Sequence, residues 1–256
     1  MSRPAPDGAL GLTGGCRVAV RLAAMLGWLA LCVPLYYVWR LARTENPWPR
    51  RFLGGIARLA GVAITTHGRR PSGGEFLLVN HVSWIDIPAI AAATGAAFVA
   101  HDGLASVPLV HWLCRMNRTV FIARHDRASV HLQVEQVRAA VMGSGALAIF
   151  PEGTTSDGTG LLPFKSSLLS ALDPPPPGVA VQPVLLDYGP EAADIAWVGD
   201  EPGIGNFLRI LARKRKVDLT VLFLEPLEGG ALASRKTMAA AARSEILAAL
   251  ESRMAA

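Results

Sequence analysis

A histidine and an aspartate stand five positions apart in "VNHVSWIDIP", residues 79–88. A neutral imidazole titrates near pH 6.5 and can take a proton at cellular pH. A carboxylate on its other nitrogen fixes the tautomer and supports the imidazolium that forms. His81 and Asp86 could thus serve as a general base and its orienting partner. The same stretch also suits a plain strand-to-helix turn. Ser83 and Asp86 form an S-x-x-D capping pattern, and Pro88 fits a first helical turn. On a regular helix the two side chains would point about 140° apart at 100° per residue. For the pair to meet, His81 must lie in the turn and Asp86 at the helix start.

Further along, "FIAR" (121–124) puts Arg124 just past an apolar run. "FPEGTTSDG" (150–158) puts Glu152, Gly153 and Thr154 past another, and "LPFK" (162–165) adds Lys165. "VQPV" closes the series at 181–184. Singly these read as an exposed arginine, a Pro-Glu-Gly turn, a solvated lysine and an edge-strand proline. Together they suit an anionic ligand: arginine grips phosphate or carboxylate, and glycine admits close backbone approach. Gly143-Ser144-Gly145 is not a nucleophile elbow, because Met142 takes the place of the first glycine. No H-x-x-x-H, H-E-x-x-H or C-x-x-C spacing occurs, so neither a metal nor a disulfide is expected. Cys114 reads as a buried structural thiol.

The elements that would carry these residues alternate. β-rich runs fall at 75–79, 97–100, 119–122 and 146–150, with helical stretches near 87–94, 104–116 and 127–142. Further strands are expected at 179–186, 193–198 and 217–224, and a helix over the last 25 residues or so. This predicts an α/β fold, a mostly parallel sheet flanked by helices. His81, Arg124 and Glu152 then share the carboxyl edge of the sheet, where ligands bind in such folds.

The first 60 residues differ from the rest. They hold eight arginines against Asp7 and Glu45, so the whole net charge of +5 resides there. A nucleic-acid protein would spread basic groups over its folded domain, so none is expected as partner. Residues 22–39 carry no charge and are long enough to span or half-enter a bilayer, with Pro34 favouring a kink. Arg17 and Arg21 flank one side, Arg40 and Arg43 the other. Residues 48–61 read as an amphipathic helix, with Phe52, Ile56 and Leu59 opposite Arg50, Arg51 and Arg58. Packing on the protein's own core would explain that stripe too; the basic face favours membrane contact. Residues 1–62 are therefore read as membrane-anchoring helices and 63–256 as the globular domain. The run Arg213–Lys216 is a solvated patch or a dock for an acidic carrier or lipid.

The blocks H-x-x-x-x-D, F-I-x-R, F-P-E-G-T and V-x-P-V, in this order over residues 70–190, resemble those of the glycerolipid acyltransferases. The similarity is to the group acting on 1-acyl-sn-glycerol-3-phosphate. The resemblance implies that family's α/β acyltransferase fold on a membrane-associated helical segment, with the catalytic domain facing the cytoplasm. It implies acyl transfer from acyl-CoA or acyl-acyl carrier protein to the hydroxyl of a lyso-lipid, with no bound cofactor. Lysophosphatidate, giving phosphatidic acid, is the implied acceptor. By the same likeness His81 is the base and Asp86 its partner, while Arg124, Glu152, Gly153, Thr154 and Lys165 bind substrate. Three positions depart from the pattern. Thr155 stands where arginine is frequent, His101 where lysine is, and His111 where glycine is. Cations for a phosphate are thereby lost, and a lyso-aminolipid such as lyso-ornithine lipid becomes the rival acceptor. A non-catalytic membrane adaptor on the same fold is the alternative of another class.

Overall fold

The computed structural model describes residues 11–101, 108–122, 135, 139–141 and 145–255. Seven strands form one sheet: β1 (Val62–Gly68), β2 (Glu75–Val79), β3 (Ala97–His101), β4 (Val120–Ile122), β5 (Ala146–Ile149), β6 (Ala180–Asp187) and β7 (Val217–Phe223). Their order is β1-β7-β6-β2-β5-β3-β4. Every neighbouring pair is parallel except β6 and β7. β1 and β7 thus run against the other five, and the sheet is mixed but mostly parallel, as expected.

Burial follows from position in the sheet. Central β2, "EFLLV", is buried at every residue, as a strand covered on both faces must be. β7 alternates instead, with Val217, Leu219, Val221 and Phe223 buried and Asp218 exposed. On one face lie α1 (Leu12–Arg40), α2 (Trp48–Ala60), α3 (Asp86–Thr94) and α6 (Gly203–Ala212), whose apolar residues share one core. On the other, α7 (Arg235–Met254) packs beside β6 and adds Met238, Ala239 and Ala242 to a second core shared with β2 and β5. A capping box at Ser234 and Thr237 starts α7. α4 (Pro108–Met116) follows β3.

Two expectations are corrected. Residues 193–198 are not a strand: Ala192–Ile195 is a helical turn, α5, entered through Pro190. Its apolar residues Ala192 and Ile195 are buried by one turn of helix, and so short a run has no period to separate strand from helix. β1 was not anticipated, because "VAITTHG" is an edge strand with only Val62 fully buried.

α1 is longer than the uncharged stretch and is docked along its length. Val18, Met25 and Cys32 are buried, a seven-residue spacing that makes one narrow stripe. Leu12, Val20, Leu26, Leu31 and Val38 are exposed on the opposite face, within a sector about 140° wide at 100° per residue. Arg17 and Arg21 do not face lipid. They donate to the carbonyls of Ala212, Leu211 and Ile210 and so cap the C-terminus of α6. The apolar face of α2 also turns inward. Ala57 and Ala60 are fully buried, and Leu53, Ile56 and Leu59 pack on the core. Arg50, Arg51 and Arg58 stay exposed, and Arg50 caps α3 at the carbonyls of Ala92 and Ala93. Of the two apolar faces expected to meet a membrane, only the outer side of α1 is left exposed among the described residues.

Candidate active site

β2 ends at Val79, and Asn80 decides where the chain leaves the sheet. Its side-chain amide donates to the Leu186 carbonyl (3.0 Å) and accepts from the Leu186 N–H (2.7 Å). The side chain thereby continues the pairing with β6 for one residue while the backbone turns away. His81 follows in the turn and Asp86 opens α3, as their spacing requires. The imidazole Nδ1 and Asp86 Oδ2 are 2.7 Å apart.

Asp86 is fully buried and saturated with donors. Oδ2 also accepts the N–H groups of Val82 (2.6 Å) and Ser83 (2.9 Å), and Oδ1 accepts the hydroxyl of Tyr188. An ionised carboxylate only accepts, so the ring nitrogen facing it must carry the hydrogen. Nε2 is then left with a free lone pair, the form a general base needs. Half of the capping pattern is real. Asp86 accepts the Ser83 N–H, whereas the Ser83 hydroxyl goes to Asn206 Oδ1 (3.2 Å). Asp86 therefore organises the turn and orients the imidazole at once. Burial and the neighbouring carboxylate push the Tyr188 phenol well above its ordinary range, so it remains a donor. Tyr188, just past β6, was not singled out from the sequence. The available signal was an aromatic four residues after "VQPV", at the carboxyl end of a strand.

The rest of the turn is gripped from three sides. The Ser156 N–H (2.7 Å) and hydroxyl (3.0 Å) donate to the His81 carbonyl, and the Trp197 N–H donates to the Val82 carbonyl (2.9 Å). Glu152, expected to bind substrate, is 1% exposed. Its Oε1 accepts the backbone N–H of His81 (2.8 Å) and its Oε2 that of Leu162 (2.9 Å). Burial raises its pKa, and the two backbone bonds partly oppose that. Through these two bonds Glu152 holds the His81 turn.

Gly153 has φ +69°, and a Cβ there would meet the Lys165 Nζ at 3.0 Å. The exposed Lys165 side chain therefore lies directly over Gly153. The Gly153 N–H is bound to the Phe150 carbonyl (3.0 Å), so that amide is not a free oxyanion donor. Thr154 is exposed on the same turn. Thr155 turns inward and donates to the Trp197 carbonyl. Arg124 lies outside the described residues, as does the His101 side chain. His111 is half-buried edge-on against Phe121 at 5.1 Å.

The imidazole is not isolated from the apolar interior. It stacks on Phe150 at 4.2 Å between centroids, and Phe150 stacks on Phe98 at 6.2 Å. Phe98 in turn lines a cavity of about 220 Å³ between α1, α2, β3 and α4, walled also by Cys32, Phe52, Ile87, Leu113 and Cys114. Burial raises the pKa of both thiols, so they line it as apolar groups. With side-chain exposure of 18%, His81 is still reachable from outside. A hydroxyl near Nε2 and a long apolar chain could thus be held together.

Comparison with known proteins fits this chemistry. A family described as Acyltransferase matches residues 62–187. A lyso-ornithine lipid O-acyltransferase of Brucella abortus (strain 2308) is 31% identical, over 94% of this chain and 96% of that protein. A 1-acyl-sn-glycerol-3-phosphate acyltransferase of Neisseria gonorrhoeae is 34% identical over 52% of this chain and 53% of its own. The crystal structure of PlsC, a 1-acyl-sn-glycerophosphate acyltransferase of Thermotoga maritima, superposes with a TM-score of 0.62. That likeness covers 94% of this chain and 98% of the other at 20% identity, and it concerns the fold.

Proposed function

The chain belongs to the lysolipid O-acyltransferase family, and from that membership we propose that it moves an acyl chain from a thioester donor to a lyso-aminolipid of the lyso-ornithine type. The His81–Asp86 contact is the observation that carries the chemistry. The acceptor hydroxyl gives its proton to Nε2 of His81 as its oxygen attacks the thioester carbonyl. The C–O bond forms, the tetrahedral oxyanion collapses, and the C–S bond breaks. The imidazolium then returns the proton to the departing thiolate. Asp86 steadies the imidazolium, and Tyr188 with the turn amides steadies Asp86. The donor is acyl-CoA or acyl-acyl carrier protein, and its acyl chain occupies the cavity beside Phe98.

Two observations support the aminolipid acceptor. The relatives similar over nearly the whole chain carry the lyso-ornithine name. The Thr155 hydroxyl is committed to Trp197, so that position offers a phosphate no cation. Lysophosphatidate is the second reading, favoured by the relatives that share half the chain and by the exposed ammonium of Lys165, which forms no ion pair with any of the described residues. Purified protein should be assayed with both acceptors at equal surface concentration. The expected result is a kcat/KM at least roughly 10-fold higher for lyso-ornithine lipid, about 1.4 kcal/mol of preference. Equal or reversed preference would restore lysophosphatidate.

The outer face of α1 is the proposed membrane contact, on the cytoplasmic side where acyl thioesters are found. Because the inner stripe runs against the protein from Val18 to Cys32, about 21 Å of helix, α1 lies in the interface. The exposed arginines of α2 suit anionic head groups. Replacing Leu26, Leu31 and Val38 together by Gln should move the protein from vesicles to the supernatant. Each such side chain is worth about 1.5–3 kcal/mol when buried. The melting curve should hardly change, since all three side chains face outward. Unaltered flotation with the vesicles would place the attachment elsewhere.

A further inference from the structure

The backbone N–H and carbonyl of His81 are each held by a residue of the 150–159 loop that has a charged group close by. The His81 N–H is held by Glu152, and over the next residue, Gly153, lies the ammonium of Lys165. The His81 carbonyl is held by Ser156, and the next residue is Asp157. Both side chains are exposed, and no ion pair joins them to each other or to any of the described residues.

The Asp157 carboxylate is fixed as well as exposed. Oδ1 accepts the N–H and the hydroxyl of Thr159, both at 2.9 Å. Two bonds to one oxygen fix the plane of the group and leave Oδ2 without a partner among the described residues. Behind it the loop cannot retreat. A Cβ on Gly158 would come within 2.9 Å of Ala192 and 3.2 Å of Val82, so the 155–159 segment is seated against the catalytic turn. Thr155 and Ser156 are tied down on its other side.

We propose that Asp157 and Lys165 form a zwitterion site: Asp157 takes the ammonium of the acceptor's amino-acid head group, and Lys165 takes its carboxylate. An exposed cation and an exposed anion on the segments that hold the base match a head group carrying both signs. They mismatch a phosphate monoester, whose two negative charges Asp157 would repel. The inference rests on the reading of the acceptor as a lyso-aminolipid and extends it to specific contacts. Asp157 is thus a specificity-determining residue.

The test is steady-state kinetics of the full chain in mixed micelles with three acceptors. These are lyso-ornithine lipid, the same lipid with its side-chain amine acetylated, and lysophosphatidate. Asp157→Asn keeps the oxygen that serves Thr159 and removes the charge. It should raise KM for lyso-ornithine lipid roughly 10-fold with kcat nearly unchanged. The wild type should show a similar penalty for the acetylated lipid, and Asp157→Asn should add none on that acceptor. Lys165→Gln should raise KM for both ornithine lipids alike. If Asp157→Asn weakens the acetylated lipid equally, the residue only shapes the loop and the inference fails. It also fails, with the acceptor reading intact, if lyso-ornithine lipid is used and its KM is insensitive to Asp157→Asn. A wild type that acylates lysophosphatidate and refuses lyso-ornithine lipid overturns both.

Discussion

His81→Ala folds, binds membranes and transfers acyl chains at least about 100-fold more slowly, because a positioned general base contributes typically 10²–10⁴-fold. The substitution removes Nε2 and spares the bonds that shape the turn. Those run through the backbone of His81 to Glu152 and Ser156. Asp86→Asn is the companion. Its amide oxygen can still accept from Val82 and Ser83, and its NH₂ can face a Tyr188 hydroxyl rotated to accept. The turn survives while the charge behind the imidazole disappears, so kcat falls and substrate binding holds. If the pair acts as one unit, the double variant is hardly slower than His81→Ala alone. Near-normal turnover of His81→Ala would return the molecule to the class of membrane adaptors.

Glu152→Gln separates holding the turn from touching the substrate. The amide keeps one acceptor and sets a donor against a backbone donor. Either the His81 or the Leu162 N–H then loses its partner. A buried unsatisfied donor costs about 1–3 kcal/mol, and misplacing the base by an ångström costs on the order of 100-fold in rate. Lower stability and lower kcat, with acceptor KM little changed, are therefore expected. A substrate-gripping glutamate would instead show itself in KM at unchanged stability. A pH series adds an independent check. Burial raises the pKa of Glu152 above its ordinary 4.5, so the folded state holds its proton longer than the unfolded chain does. That favourable contribution is present below pH 4.5 and is lost as pH rises through the raised value. Glu152→Gln has no such proton, so its stability, followed by urea melts, should fall less steeply over that interval.

What could be read from the chain and what could not differ in physical kind. His81 and Asp86 were legible because their chemistry lies in the side chains and their spacing demands a turn. The position of Glu152 was legible but its burial was not, since a Pro-Glu-Gly turn normally faces water and only the fold buries this one. Tyr188 meets Asp86 across 102 residues, a separation that no local pattern encodes. The sheet followed from alternating apolar runs, except at edge strand β1 and at 193–198, where too few residues define a period. The amphipathic stripe of α2 was seen correctly, but its partner was misjudged: a stripe says that something covers it, and here that is α3 and the core.

The two arginines of α1 alter what can be cut away. The uncharged stretch looks like a tether that could be trimmed to leave a soluble enzyme. Yet Arg17 and Arg21 close the end of α6, and α6 supplies Asn206, the partner of Ser83 in the catalytic turn. A chain starting after residue 45 would leave three carbonyls of α6 uncapped and strip Val18 and Met25 from the core. The loss would reach the base through Asn206. Among the described residues, the first helix is thus bonded and packed into the same body as the His81 turn. A soluble version is to be sought by repainting one side of the first helix, never by removing it.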